Sequence, residues 1–331
     1  MQTIQTRKLS ALALPWPVNW ADLFGVEQPL ILEIGFGTGT YLQHLARLNP
    51  NANLVGLEIS NQSLLKAERA VIRERLPNIR VIHSRAETAL GHLFTPNSLS
   101  EVHINFPDPW FKRGHHHRRL MQRDTLDTLV NRMRPGARLY LATDIREYAE
   151  MSADLLEATP GLENRLPASW VGEMPGRVVT KYEGRARAAG RPCHYFAYRR
   201  NQQPAPVVPV IREVPMPHFV FASPLSLDDM RAAFSSFKVA AGDTHVGFSE
   251  IYQGRSSLLF EIHVSEPTIE QHTGLLLTFH GRDTGEYTLA MGTLGHPRPT
   301  EGMQLAVRTL GEWLIGLHPD ARLLHHKLDS E

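Results

Sequence analysis

The sequence predicts an α/β protein whose first part folds into a doubly wound parallel sheet. Short apolar segments of strand length alternate with amphipathic helical segments, and a glycine-rich turn joins the first strand to its helix. This alternation is typical of parallel strands that are connected by helices. Ligands are therefore expected outside the carboxyl ends of the strands, near the point where the strand order reverses.

The strands of this sheet are predicted from runs of Val, Ile and Leu that polar or turn-forming residues bound. They fall at 30–34, 53–58, 79–83, 101–104 and 138–142. Helices are predicted from the glycine-rich turn to about Leu48, over 63–76 and over 146–158.

The last third of the chain has a different pattern and predicts a second, α+β domain with an antiparallel sheet. A helix near 226–237 precedes β-rich runs, and a long helix follows them; the runs cover 238–252, 257–264, 274–279 and 287–291, and the helix covers 300–317. A proline-rich segment, 201–209, is predicted to link a domain at 1–200 to one at 210–331. No motif assigns a role to the second domain.

Composition narrows the class of protein. Of the 331 residues, 42% are hydrophobic and 21% are charged, which is ordinary for a soluble globular protein. No apolar run approaches the roughly 18 residues of a membrane span, and the amino terminus lacks the apolar core of a signal peptide. The single cysteine, Cys193, excludes an intrachain disulfide framework. These features predict a cytoplasmic protein without a membrane partner.

Charge is distributed unevenly along the chain. Residues 1–200 carry 26 Lys and Arg against 19 Asp and Glu, whereas residues 201–331 carry 9 against 15. A basic first domain predicts a polyanionic partner, and its excess of arginine over lysine suits bidentate phosphate contacts. A genome that prefers arginine codons explains that excess equally well, but it does not explain the difference in net charge.

A cofactor site is predicted where the first strand turns into its helix. Gly35, Gly37 and Gly39 allow the backbone to approach a ligand closely, and Glu33 precedes them by two residues. Glu58 ends the second strand, where a carboxylate can accept hydrogen bonds from both hydroxyls of a ribose.

Two cofactors fit such a turn, NAD and S-adenosylmethionine. In the dinucleotide fingerprint the third glycine stands one residue later, at the position of Thr40. Glu33 would repel a pyrophosphate but suits the ammonium of a methionine moiety. The acid-Gly-x-Gly-x-Gly form therefore favours S-adenosylmethionine and is similar to the loop of class I methyltransferases.

The segment 105–110 places Asp108 between two prolines and beside Trp110, at the end of an apolar strand. Prolines stiffen the turn, and the indole offers a stacking face. The cationic run 112–119 that follows can bind phosphates, although a rigid loop with a solvated charge run remains the alternative. His115–His117 are predicted to face RNA rather than a metal, because adjacent histidines of a regular element cannot converge on one ion.

On these motifs, residues 28–200 resemble the bacterial tRNA (guanine-N7)-methyltransferases, which modify the variable-loop guanosine at tRNA position 46. The resemblance rests on the Glu33 glycine turn, Gly56-Leu57-Glu58, the Pro-Asp-Pro-Trp turn, Lys112, Arg118-Arg119, Ala142-Thr143-Asp144, Tyr148-Ala149, Thr180-Lys181-Tyr182-Glu183 and His194–Tyr198. It implies a Rossmann-like class I methyltransferase sheet with tRNA as the partner. No metal is expected, and the sequence leaves protein partners open, with a monomer or a homodimer as the alternatives.

The resemblance also implies roles for single residues. Those that bind S-adenosylmethionine are Glu33, Gly35, Gly37, Gly39, Glu58, Arg85 and Asp108; those that contact the substrate are Lys112, Asp144, Thr180, Lys181, Tyr182 and Glu183. Asp108 is implied as the catalytic acid beside donor and guanine. The chain departs from the family at Arg85-Ala86, where Asp-Ala is usual, so the backbone at Arg85 or the side chain of Glu87 is expected near the adenine.

Guanine N7 has a lone pair and no proton, so transfer is expected as an in-line displacement at the sulfonium. Asp108 can accept hydrogen bonds from guanine N1–H and N2–H, or take the N1 proton as a general base; both mechanisms stay open. Asp144 is predicted near the acceptor, with a helix N-cap as the alternative role. A methyltransferase for another base atom and a non-catalytic RNA-binding protein are the competing functions.

Overall fold

The structure is a computed structural model, and it describes residues 8–280 and 285–328. By its internal contacts the chain divides into two units, Met1–Ile211 and Arg212–Glu331. The division predicted from the sequence, with domains at 1–200 and 210–331 and a linker at 201–209, stays a prediction about folding domains.

The first unit contains one sheet and the helices that connect its strands. The strands are β1 (Lys8–Ser10), β2 (Leu30–Ile34), β3 (Asn53–Glu58), β4 (Ile79–His83), β5 (Leu99–Asn105), β6 (Met133–Thr143), β7 (Leu162–Asn164) and β8 (His194–Arg200). The helices are α1 (Trp20–Phe24), α2 (Thr40–Leu48), α3 (Asn61–Arg73), α4 (Ala86–His92), α5 (Arg123–Arg132), α6 (Arg146–Glu157) and α7 (Lys181–Ala188). Short 3-10 helices cover Ala11–Ala13 and Arg113–Arg118.

The strand order is β1-β4-β3-β2-β5-β6-β8-β7, parallel from β1 to β6 and antiparallel at β8. The doubly wound sheet is thus confirmed, and its order reverses between β2 and β5, the switch point. Buried apolar runs specify β2 to β4, whose bounds match the prediction. Strand β6 begins earlier than predicted because Met133 pairs with Leu99 ahead of an irregularity that contains Gly136.

The helices cover the sheet with apolar faces. Leu42 and Leu45 of α2 and Leu64 and Val71 of α3 are buried against β2 to β4. Gly56 is needed in β3, because a Cβ there would lie 2.5 Å from the Phe36 ring. This close packing fixes the glycine-rich turn over the carboxyl ends of the strands.

The proline-rich segment has no regular secondary structure and is fastened to the first unit. Arg132, which is fully buried, donates to the carbonyls of Val208 at 3.0 Å and Pro209 at 2.8 Å. Asn131 donates to the carbonyl of Pro206 at 2.8 Å. The segment therefore satisfies a buried guanidinium as well as connecting the two units.

The second unit has the α+β organisation that the sequence predicts. Its strands are β9 (His218–Ala222), β10 (Phe237–Ala241), β11 (Thr244–Gln253), β12 (Ser257–Glu266), β13 (Ile269–Phe279), β14 (Glu286–Met291) and β15 (Arg322–Lys327). They form an antiparallel sheet in the order β10-β11-β12-β13-β14-β9-β15. Helices α8 (Leu227–Ala233) and α9 (Glu301–Gly316) pack against it around one apolar core.

Within the described part of the chain, no helix combines the length and apolar character that crossing a bilayer requires.

Replacing Arg132 with Met is expected to lower the free energy of unfolding of the first unit by about 3 kcal/mol, because the buried guanidinium is removed and the carbonyls of Leu90, Val208 and Pro209 lose its hydrogen bonds. Urea unfolding followed by circular dichroism measures this. Arg134→Met, which changes an exposed arginine two residues further along the chain, at the start of β6, is the control and should leave the midpoint nearly unchanged. Equal midpoints for both variants would contradict the role of Arg132.

Candidate active site

A pocket opens at the carboxyl edge of the sheet, beside the switch point. It is lined by the glycine-rich turn, the ends of β2 and β5 and the start of α7; the residues are Glu33, Gly35, Phe36, Gly37, Thr38, Thr40, Tyr41, Ser63, Asn105, Thr180, Lys181 and Tyr182. Sequence elements that lie far apart in the chain thus meet at one site.

The glycine-rich turn has the backbone conformation that its glycines predict. Gly35, Gly37 and Gly39 all have positive φ, at 72°, 56° and 78°. A Cβ at Gly35 or Gly37 would meet no atom within 4 Å, so the space above the turn is open to a ligand. A Cβ at Gly39 would lie 3.0 Å from that of Ala67, which requires glycine for packing.

Glu58 is held in place by backbone amides. Its Oε1 accepts from the amides of Ile59 and Ser60, both at 2.9 Å, and its Oε2 accepts from the amide of Gly37 at 2.9 Å. Each carboxylate oxygen accepts about two hydrogen bonds, so Oε2 retains capacity for a further donor. The arrangement fits a ribose hydroxyl at this oxygen.

Glu33 is almost fully buried at the end of β2. Its Oε1 accepts from Asn105 Nδ2 at 3.0 Å, whereas its Oε2 has no hydrogen-bond partner among the described residues. Burial raises the pKa of this carboxyl to about 7, although the hydrogen bond from Asn105 and the charge of Arg177 act in the opposite direction. A buried carboxyl with one open oxygen is suited to a cationic group of a ligand.

Arg177, which the sequence analysis did not single out, contacts two residues that line this pocket, Asn105 and Tyr41. Its guanidinium donates to Asn105 Oδ1 at 2.5 Å and to Tyr41 OH at 3.0 Å. It also lies over the rings of Tyr41 and Tyr195, 4.6 and 5.2 Å from their centroids. The sequence feature that could have indicated Arg177 is its position three residues before Thr180. The residues next to it in the sequence do not distinguish it from the other arginines.

A chain of buried polar contacts leads from Tyr41 through His103 to Glu101. Tyr41 OH lies 3.3 Å from His103 Nδ1, and His103 Nε2 lies 2.6 Å from Glu101 Oε1. Glu101 also forms an ion pair with Arg138. Burial alone would raise the pKa of Glu101, but the hydrogen bond from His103 and the charge of Arg138 hold it below its ordinary value.

The turn that carries Asp108 is held in an unusual backbone conformation. Phe106 and Trp110, which flank it, have positive φ of 52° and 43°, which are uncommon outside glycine. The amide of Phe106 donates to the carbonyl of Ala142 at 2.7 Å, which ties the turn to β6. Asp108 itself is exposed at the tip.

The sequence predicts that Arg119 binds phosphate. In the structure its side chain is instead engaged in holding this turn. Its Nε donates to the carbonyl of Pro109 at 2.8 Å, and a second nitrogen lies 3.3 Å from Met151 Sδ. Arg118 lies over the Trp110 ring at 5.2 Å and Lys112 is exposed. The side chains of Arg113 and His117 lie outside the described residues.

Asp144 does not cap α6, which was its alternative role. The N-cap position is occupied by Ile145 and has no side-chain cap, while Thr143 Oγ1 accepts from the amide of Ile145 at 3.2 Å. Asp144 instead forms an ion pair with Arg191 at 2.8 Å.

Of the Thr180–Glu183 run, the two end residues have structural partners, and the first three residues line the pocket. Thr180 and Glu183 form a capping box at the start of α7. Glu183 is buried and accepts from Tyr195 OH at 2.8 Å and from Arg187 at 2.6 Å. Thr180, Lys181 and Tyr182 all line the pocket, and the substrate contacts expected at Thr180–Glu183 stay a prediction.

Arg85 precedes α4 and lies 3.5 Å from Glu87, so the two candidates for the adenine contact pair with each other. The carbonyl of Arg85 accepts from Ser84 Oγ at 2.7 Å. No cluster of three or more His, Cys, Asp or Glu side chains suited to a metal occurs in the residues that the structure describes.

Comparison with known proteins gives consistent matches. A family model described as "Putative methyltransferase" matches residues 27–196. A tRNA (guanine-N(7)-)-methyltransferase of Thermus thermophilus is 34% identical over 299 residues, which cover 89% of this chain and 92% of that protein. Proteins of the same name from Syntrophotalea carbinolica and Streptomyces coelicolor are each 36% identical; the matches cover 58% and 57% of this chain, and 82% and 70% of those proteins.

The extent of the Thermus match changes one expectation. The resemblance drawn from motifs ends near residue 200, but an alignment of 299 residues is longer than the first unit and extends into the second. The second unit is therefore shared with at least one relative.

Replacing Arg177 with Met is expected to raise the pKa of Glu33 above about 7, because the positive charge that favours its ionised form is removed. The titration is followed by the ¹³C signal of the Glu33 carboxyl, assigned with Glu33→Gln. Arg187→Met removes an arginine that pairs with Glu183 and should leave the Glu33 titration unchanged. An unaltered pKa in Arg177→Met would show that Arg177 does not act on Glu33.

Proposed function

Because the chain belongs to the tRNA (guanine-N7)-methyltransferase family, we propose that it transfers the methyl group of S-adenosylmethionine to N7 of a guanosine in tRNA. We propose the variable-loop guanosine at position 46 as the acceptor. The observation that carries the proposal is the position of Asp108, exposed on a stiff turn at the carboxyl end of β5, one strand from Glu33 and the glycine-rich turn.

The donor site fits S-adenosylmethionine at two points. The open Oε2 of Glu33 suits the ammonium of the methionine moiety, and the free capacity of Glu58 Oε2 suits a ribose hydroxyl. When bound, S-adenosylmethionine supplies an electrophilic methyl group on a sulfonium. Because Gly35 and Gly37 have no side chains and the space beside them is open, S-adenosylmethionine can approach the backbone of the turn.

Methylation of guanine N7 requires that N7 be aligned with the methyl group, and it requires no proton transfer to expose the nucleophile. Guanine N7 carries a lone pair and no proton, so attack on the methyl group needs no base to expose the nucleophile. Positive charge then develops on the purine. We propose that Asp108 accepts hydrogen bonds from N1–H and N2–H, which orients the ring and offsets this charge.

The turn is built for such an orienting role. Arg119 and the Phe106–Ala142 hydrogen bond hold its backbone, so Asp108 does not have to be ordered when the guanine arrives. Trp110 and the exposed Phe111 offer faces on which an extruded base or its neighbour stacks. Stacking offsets the cost of taking the base out of the folded RNA.

Substrate contacts are proposed at Lys112, Lys181 and Tyr182, whose side chains are accessible. Thr180 and Glu183 then serve the substrate indirectly, by fixing the start of α7. Asp144 and its partner Arg191 contribute at the end of β6. The adenine contact is proposed at the Arg85–Ala86 backbone.

The function is tested by incubating the protein with labelled S-adenosylmethionine and total tRNA, then mapping the methylated nucleoside. The expected product is N7-methylguanosine at position 46. N7-methylguanosine at another position would contradict position 46 as the acceptor. Methylation of an exocyclic amine would contradict N7 as the methylated atom. Binding of tRNA without methyl transfer would identify a non-catalytic RNA-binding protein.

Asp108→Asn is expected to lower kcat about 100-fold, because an amide can still reach the guanine edge but offers no negative charge. Single-turnover methyl transfer under saturating tRNA and saturating S-adenosylmethionine measures this. Asp124→Asn alters another exposed aspartate, on α5, and should retain full activity. Undiminished turnover in Asp108→Asn would remove Asp108 from the mechanism.

A further inference from the structure

A second, larger cleft of the first unit lies at the amino ends of the strands, on the opposite edge from the glycine-rich turn. Its volume is about 800 Å³, and it is bounded by the starts of β2 and β5, by the end of α2 with the residues that follow it, and by β6 and β8. Four arginines line it: Arg134, Arg138, Arg165 and Arg199. No step of the proposed methyl transfer uses these residues.

Two of the arginines face each other in the sheet. Arg138 on β6 and Arg199 on β8 are directly opposed in the antiparallel register. Like charges in this position destabilise a strand pair. The neighbouring register pair, Leu139 with Tyr198, is buried, whereas both arginines are exposed and line the cleft.

The nearby acids neutralise only half of this charge. Glu101 forms an ion pair with Arg138, and Glu163 pairs with Arg165 at 3.1 Å. Arg134 and Arg199 form no ion pair with any described residue, and both are exposed. Arg199 lies along the backbone of Gly136, where a Cβ would stand 3.6 Å from its guanidinium.

The cleft also offers a flat surface beside the charges. The Tyr140 ring lines it and stacks on His103, with ring centroids 4.9 Å apart and an interplanar angle of 17°. His103 is buried and hydrogen-bonded to Glu101, so the tyrosine lies on a rigid support. In such an arrangement the guanidinium groups can bind phosphates, and the aromatic ring can pack against a sugar.

We propose that this arginine cleft binds the sugar–phosphate backbone of the substrate tRNA, at a second contact remote from Asp108. The proposal rests on the proposed function for the identity of the RNA. From Arg138 to the end of β6 is five residues, or about 17 Å of strand. A folded tRNA is longer than this, so one molecule can place its guanine at the carboxyl edge and a distant phosphate in the cleft.

Charge complementarity favours RNA phosphates over other occupants. Arg134 and Arg199 present unpaired guanidinium groups, which bind phosphate oxygens in bidentate fashion. Bound phosphates would relieve the repulsion between Arg138 and Arg199 that the fold otherwise retains. The contact would position the RNA without reading its sequence.

The test is the double variant Arg134→Gln/Arg199→Gln in the full chain, with binding of unmodified tRNA measured over a range of salt concentrations. We expect weaker binding and a plot of log affinity against log salt that is less steep by about 2, or about 1 for each lost phosphate contact. The KM for tRNA should rise while kcat and the affinity for S-adenosylmethionine stay the same. The control, Arg73→Gln/Arg231→Gln, removes the same charge from exposed positions elsewhere and should change neither slope nor KM.

The outcomes separate this proposal from the proposed function. Unchanged tRNA affinity and salt slope in the Arg134/Arg199 variant would overturn the cleft, even if the wild-type protein methylates position 46. An equal loss in the control would also overturn it, since it would show an effect of overall charge. Wild-type protein that binds tRNA through the cleft but makes no N7-methylguanosine would overturn the proposed function alone.

Discussion

The burial of the Glu33 carboxyl at the end of the central strand is the constraint on which the site depends. Burying a carboxyl is costly unless its oxygens are hydrogen-bonded; here Asn105 donates to one oxygen, and the other has no partner among the described residues. Arg177 donates a hydrogen bond to Asn105, and its positive charge favours the ionised form of Glu33. These contacts join β2, β5 and the segment before α7, so the pocket is organised before a ligand binds.

The same polar chain reaches the opposite edge of the sheet. From Arg177 it passes through Tyr41 and His103 to Glu101, which pairs with Arg138 in the arginine cleft. Each member orients the next, because buried polar groups are costly when unpaired. One buried network therefore connects Arg177, beside the pocket at the carboxyl edge, with Arg138 in the cleft.

Much of this site follows from local sequence, but several assignments do not. The glycine-rich turn and Glu58 could be predicted because each lies beside the strand that positions it. Arg119 and Glu183 have structural roles that local sequence does not reveal, since their partners are Pro109, Met151 and Tyr195. The charge of a side chain is evident from sequence, whereas the group that satisfies it is not.

By itself, the sequence determined the doubly wound sheet and the family of the chain, and it predicted the positive-φ conformation of the glycine-rich turn. Apolar periodicity and short motifs act over a few residues, so they survive without knowledge of the fold. The tertiary structure alone decided that Arg177 serves Glu33 through Asn105, and that Arg138 faces Arg199 in a cleft. These relations join strands and loops distant in sequence, and only packing and strand register bring such residues together.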